Sequence, residues 1–205
     1  MPDRHCRCGT HLTLICGIDE VGRGAWAGPV LAAAVCLPAD FALRYPHCVI
    51  GDSKKIAPAV REASAAVILR AAYVGIGAAD SEEIDRIGLG PATYVAMERA
   101  LAALGIRPDH ILIDGKTLPP ALRRTGISVR AVVGGDGSEA SIGAASIVAK
   151  VCRDAALRVL DVRYPGYAFA RHVGYGTALH RDSLARLGIT PIHRRSFAPI
   201  RSLGQ

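Results

Sequence analysis

Leu12-Thr13-Leu14-Ile15-Cys16-Gly17-Ile18-Asp19-Glu20-Val21-Gly22-Arg23-Gly24 is the stretch on which the fold turns. From His11 onward, Leu12, Leu14, Cys16 and Ile18 fall on alternate positions, the period of a β-strand. The strand ends at the acid pair Asp19-Glu20, and a glycine-rich turn, Val21 to Gly28, follows. Pro29 to Leu37 is apolar and predicts a second strand, closed by Pro38. A strand that ends in carboxylates and runs into glycines delivers charge and bare backbone to one place.

Working outward, Pro58 to Tyr73 carries an apolar stripe at helical spacing, and Val74 to Ala79 reads as a strand. Asp80 with Glu83 three residues on forms a capping-box signature. Pro91 and Gly105 bracket a helix over Ala92 to Leu104. Ile111 to Ile113 is a short buried strand ending at Asp114, and Ile127 to Val133 is another, ending in Gly134-Gly135-Asp136. A long helix is predicted from Ser138 to about Arg163, where Tyr164-Pro165-Gly166 stops it, and a last one from Thr177 to Leu187 with Gly188 as terminator. The pattern is α/β: a mixed sheet flanked by helices, with a helical C-terminal portion.

Three apolar strands thus end in acids: Asp19 and Glu20, Asp114, and Asp136. Residues beyond neighbouring strand ends can converge on one crevice. Carboxylates gathered there repel one another, and a hard divalent cation such as Mg²⁺ removes that cost. Taken singly, each acid reads as solvated punctuation. The adjacent pair followed by Gly22-Arg23-Gly24 favours a site, because glycine on both sides of Arg23 lets backbone amides approach a phosphate or sugar hydroxyl. A P-loop is excluded, since no Gly-Lys-Ser/Thr follows.

The chain resembles the ribonuclease HII family, the bacterial type 2 ribonucleases H, over nearly its whole length after residue 12. The resemblance rests on Gly17 to Gly24, Gly28-Pro29-Val30, Asp52-Ser53-Lys54-Lys55, Ile113-Asp114-Gly115, Gly135-Asp136, Ser141 to Lys150, Arg153-Asp154, Tyr164 to Tyr167, Gly174-Tyr175-Gly176-Thr177 and Ile192 to Pro199, in that order. It implies a ribonuclease H-like fold with a central mixed five-stranded sheet. It implies that Asp19, Glu20, Asp114 and Asp136 hold Mg²⁺ or Mn²⁺, two ions during catalysis, with Asp154 as a secondary acid. Gly22, Arg23 and Gly24 are implied to read the 2′-hydroxyl at an RNA-to-DNA junction, and Tyr175 to stack on the following sugar. The implied reaction hydrolyses the RNA strand of RNA–DNA hybrids and cuts on the 5′ side of ribonucleotides embedded in duplex DNA, leaving a 3′-hydroxyl and a 5′-phosphate. The chain departs from the family pattern at Gly134 and Val173, where lysines are usual, and at Ala25-Trp26, where proline-leucine is common.

Lys54, Lys55, Arg194 and Arg195 are candidates for phosphate contacts in that context, and Ser146 and Lys150, four apart on the long helix, for lining the groove, with packing the stronger reading for Ser146. His172 and His193 read equally as surface, phosphate-contacting or catalytic groups. His5, Cys6, Cys8 and His11 make a poor zinc set, because Cys6 and Cys8 are one residue apart and no second cysteine pair follows.

The chain has 205 residues, enough for one domain with a substantial core, and the expected division is a flexible leader over residues 1–11 and a catalytic domain over 12–205. The formal net charge of +7 suits a polyanionic partner and reads equally as solubility charge. No apolar run reaches membrane-spanning length, the first ten residues carry no secretory core, and the irregularly spaced cysteines read as reduced thiols. A cytoplasmic monomer is expected. Two other classes stay open: a catalytically silent nucleic-acid-binding module, against which all four retained acids argue, and a nuclease of the same chemistry acting on DNA.

Overall fold

The computed structural model of the protein describes residues 13–203. β1 (Ile15–Val21) and β2 (Val30–Cys36) run antiparallel, and β2 is buried along its whole length. Its odd and even residues serve opposite faces, so a central strand covered on both sides reads as a continuous apolar run. α1 (Phe41–Arg44) and α2 (Pro58–Ala71) follow, then β3 (Tyr73–Ala79), α3 (Ser81–Ile87) behind the predicted capping box of Asp80 and Glu83, and α4 (Leu89–Ala103). β4 (His110–Asp114) and β5 (Ser128–Val132) flank a single 3₁₀ turn at Leu122–Arg124. The remaining elements are helical: α5 (Gly135–Ser138), α6 (Ala140–Arg163), α7 (Phe169–His172), α8 (Ala178–Leu187) and α9 (Ala198–Arg201).

The sheet order is β3-β2-β1-β4-β5, antiparallel on the β3 side and parallel from β1 through β5. This is the mixed five-stranded sheet the sequence implied. One face packs Cys16, Ile18, Ile111 and Ile113 against Ala96, Met97 and Ala100 of α4. The other packs Leu31, Ala33 and Val35 against α2 and α6 through Ile68, Ala144 and Val148. Each fully buried Ile or Leu contributes about 1.5–3 kcal/mol.

Glycine decides how close α6 comes: a Cβ on Gly17 would lie 2.1 Å from the backbone carbon of Ser141. With no side chain there, α6 lies directly on β1 and runs alongside it. Residues near Ser146 therefore stand level with Asp19, and Arg153 level with Gly22. A third cluster, Leu157, Tyr167, Phe169, Leu184 and Ile200, joins the far part of α6 to α7, α8 and α9.

The structure departs from expectation at element ends. The long helix starts at Ala140 rather than Ser138, because Glu139 adopts an extended conformation and separates off the one-turn α5. α4 begins at Leu89, placing Pro91 inside its first turn. Cys16, Cys36, Cys48 and Cys152 are free thiols, the first two fully buried. The expected leader and the His5, Cys6, Cys8 and His11 set lie outside the described residues. No helix among the described residues is long and apolar enough to cross a membrane.

Candidate active site

β1 and β4 are parallel with Ile18 paired to Ile113, so one step further Asp19 stands beside Asp114 at the carboxyl ends of the strands. Asp19 is 7% exposed. Burial, and then the charge of Glu20, push its carboxyl up to about 7, with Asp114 adding to the rise and the Ser146 hydroxyl opposing it. Glu20 is also raised, chiefly by burial, against the pull of Arg23, whose guanidinium lies 3.3 Å away. Asp114 accepts from the Gly135 amide at 2.8 Å, which ties it to the turn bearing Asp136. Asp19, Glu20 and Asp114 thus feel one another's charge, and Asp136 follows the residue that Asp114 holds.

The donor set suits a hard cation. All four groups offer carboxylate oxygen, and the repulsion among Asp19, Glu20 and Asp114 is met only in part by Arg23. Among the described residues no group of three or more His, Cys, Asp or Glu side chains stands ready to hold an ion by itself. Mg²⁺ binds through one or two carboxylates, retained water and substrate phosphate rather than an all-protein cage.

Beside the acids lies the glycine turn. Gly22 has φ +90, a conformation L side chains rarely adopt, and a Cβ there would lie 2.1 Å from the Arg153 side chain. Arg23 and Gly24 are exposed. The ring of Tyr175 approaches Gly24 to within contact of where a Cβ would sit, at 3.9 Å, and Arg153 lies beneath the same ring, 5.6 Å from its centroid. Gly174 accepts from the Trp26 amide at 2.8 Å and passes so near Ala27 that only glycine fits. The turn and the tyrosine, some 150 residues apart in sequence, therefore make one ledge next to the carboxylates.

Arg194 requires correction as a phosphate contact. It is fully buried, and its nitrogens donate to the carbonyls of Gly22 (2.7 Å), Arg23 (2.8 Å) and Gly28 (2.9 Å). A guanidinium spent in this way cannot reach solvent. His172 and His193 are likewise buried rather than superficial. Ser146 is buried with its hydroxyl 2.9 Å from that of Ser53 and close to Asp19, so it orients the acid and does not face the groove. Asp154 is engaged by Lys150 at 2.8 Å, beyond the level of Asp19. Lys54 is exposed with no ion-pair partner among the described residues, whereas Lys55 pairs with Asp52 at 3.4 Å and the Arg195 amide is held by Asp85.

A sequence profile of the family described as Ribonuclease HII matches residues 16–200. The chain belongs to the ribonuclease HII family. Ribonuclease HII of Jannaschia sp. (strain CCS1) is 50% identical over 187 residues, covering 91% of this chain and 90% of that protein. The crystal structure of ribonuclease H2 from Pyrococcus horikoshii OT3 superposes with a TM-score of 0.74 at 24% identity, over 93% of this chain and 97% of that one. Bst-RNase HIII in complex with Mn²⁺ shares the fold with a TM-score of 0.74 at 19% identity, over 93% of this chain and 69% of that one. Membership in ribonuclease HII makes the protein a nuclease with ribonuclease H activity on RNA–DNA hybrids.

The ribonuclease HII pattern explains the motif order but not two departures. Gly134 adopts φ +66, where a side chain would be strained, so glycine in place of the usual lysine relaxes the turn before Asp136. Val173 does the opposite: a β-branched residue sits at φ +44. Sequence reasoning missed Arg153 as a support for the site, and missed His180 entirely. A charged residue at an otherwise apolar position of a long helix was the available signal for Arg153.

The three buried imidazoles have a definable proton arrangement. The Thr190 amide donates to Nδ1 of His193 at 2.9 Å, leaving the proton on its Nε2. That nitrogen lies 3.1 Å from His180 Nε2, so the His180 proton is on Nδ1, which donates to the Tyr175 carbonyl at 3.0 Å. His172 accepts from the Gly174 amide at Nδ1 and donates through Nε2 to the Tyr167 carbonyl. Burial pushes His180 and His193 down to about 4, consistent with neutral rings.

Proposed function

We propose that the cleft at the carboxyl ends of β1 and β4 hydrolyses the RNA strand of RNA–DNA hybrids and cuts on the 5′ side of single ribonucleotides in duplex DNA, leaving a 3′-hydroxyl and a 5′-phosphate. The observation that carries the reading is buried Asp19, adjacent to Glu20 and set beside Asp114 by the β1–β4 pairing, a set that a cation stabilises. Asp19, Glu20, Asp114 and Asp136 would hold two Mg²⁺ or Mn²⁺ ions, which when bound lower the pKa of the attacking water and support the departing 3′ oxygen. Ser146 orients Asp19, and the Gly135 amide orients Asp114. Arg23 and the amides of Gly22, Arg23 and Gly24 contact the 2′-hydroxyl, the group that separates RNA from DNA. Tyr175 stacks on the following sugar, and Lys54 contacts the backbone. The protein is read as a cytoplasmic monomer.

The test is a labelled DNA duplex with one ribonucleotide, assayed with Mg²⁺ and with Mn²⁺. Asp114→Asn is expected to abolish cleavage while retaining most of the duplex affinity; full turnover by that variant in Mg²⁺ overturns the assignment. An all-DNA duplex is the control, since equal cutting of it removes the 2′-hydroxyl from the account.

A further inference from the structure

The segment after α8 lies against the loop that follows β1. Ala27 and His193 form an antiparallel bridge, the Arg194 amide donates to the Trp26 carbonyl at 2.8 Å, and the Gly28 amide donates to Ile192 at 2.9 Å. This pairing drives the Arg194 side chain into the interior behind the Gly22-Arg23-Gly24 turn. There it bonds only to carbonyl oxygen: Gly22 through Nη2, Arg23 through Nη1, Gly28 through Nε and Nη2. No carboxylate bonds to it among the described residues, and Asp85, an acid whose charge reaches it, is occupied by the amides of Arg195 and Ser196. Leaving a buried cation without an anion is costly, so its carbonyl contacts have a purpose beyond neutrality.

Peptide planarity supplies that purpose. In a trans peptide the carbonyl of one residue and the N–H of the next point in opposite directions. Because the carbonyls of Gly22 and Arg23 are both turned inward to Arg194, the N–H groups of Arg23 and Gly24 are both turned outward. Neither amide donates to any described residue. Two successive outward N–H groups form a concavity for an oxygen acceptor, next to the carboxylates and under the edge of Tyr175.

We propose that Arg194 is the positioning residue for ribonucleotide recognition: from the interior it fixes the two peptide planes whose amides meet the 2′-oxygen. This rests on the proposed reading of the turn as the reader of the 2′-hydroxyl. Arg194 touches neither substrate nor metal and acts through Gly22 and Arg23. Lysine in its place keeps the charge but cannot span both carbonyls with separate nitrogens.

The experiment measures affinity, without divalent metal so that cleavage is blocked, for a duplex with one ribonucleotide and for the same duplex in all-DNA form. Wild type is expected to prefer the ribonucleotide duplex. Arg194→Lys is expected to lose that preference by about tenfold, while its all-DNA affinity stays within about twofold of wild type. Leu184→Ala, which empties a buried position in the cluster between α6 and α8, serves as a control for lost stability and is expected to keep the preference. Preference retained by a folded Arg194→Lys overturns the proposal alone. Absence of preference in wild type sinks the reading of the turn, and the proposal with it. If Arg194→Lys does not fold, amide exchange in wild type decides: the Arg23 and Gly24 amides are expected to slow by about tenfold on adding the ribonucleotide duplex and not the all-DNA duplex. Equal exchange in both complexes overturns the proposal.

Discussion

Asp19 carries an unusual charge state for an acid at a strand end. Burial and the Glu20 and Asp114 charges raise its carboxyl to about 7, so the folded protein keeps a proton that the unfolded chain has already released. Stability of the metal-free protein therefore falls as pH rises from the ordinary carboxylate range through about 7. Asp19→Asn removes that penalty. At about pH 8 with chelator the variant is expected to melt higher than wild type, by roughly 2–4 °C for each kcal/mol recovered. Adding Mn²⁺ should then raise the wild-type melting temperature more than that of the variant. A variant that melts below wild type in chelator contradicts this electrostatic account. The acids themselves were legible in the sequence because each follows an apolar run. Arg194 was misread because a basic tail looks the same whether its cations face water or backbone carbonyls; only the pairing of residues 192–194 with 26–28 distinguishes them.

At the scale of elements, α7 and the turn after it store strain. Val173 holds φ +44, and its carbonyl is kept in place by Arg153 Nη1 at 2.8 Å. Asparagine tolerates this conformation better than a β-branched side chain, so Val173→Asn is expected to stabilise the protein by about 1 kcal/mol, read from urea unfolding. Packed beside it, His172, His180 and His193 link α7, α8 and the final segment through ring stacking and the His180–His193 hydrogen bond. With His180 and His193 pushed down to about 4, the unfolded chain takes up protons that the folded protein refuses. Their contribution is whole above the ordinary histidine range and is lost as pH falls through about 4. In the Asp19→Asn background, which removes the opposing carboxyl, a melting temperature that stays level from about pH 7 to about pH 4.5 would count against this. The long elements were predictable from period and caps, as Asp80 with Glu83 shows. One-turn helices such as α1, α7 and α9 were not, since four residues carry too little periodicity and owe their shape to tertiary contacts.

For the molecule as a whole, the β1-β4-β5 parallel trio sets acids at one edge, and the C-terminal helices build the ledge beside it. The mixed sheet was foreseeable from strands that come first and then alternate with helices, but strand order was not, because it depends on pairings between distant segments. A net charge of +7 on a protein that binds a duplex implies salt-sensitive affinity. Lys54→Ala is expected to weaken binding alike for ribonucleotide and all-DNA duplexes and to reduce the slope of log affinity against log salt by about 1. An unchanged slope removes Lys54 from the contact surface.

The bond from Arg194 to Gly22 joins residues 172 positions apart. The turn after β1 is therefore synthesised well before the arginine proposed to set its peptide planes. If Arg194 acts as proposed, a nascent chain can assemble its sheet and gather its carboxylates before it can tell one sugar from another.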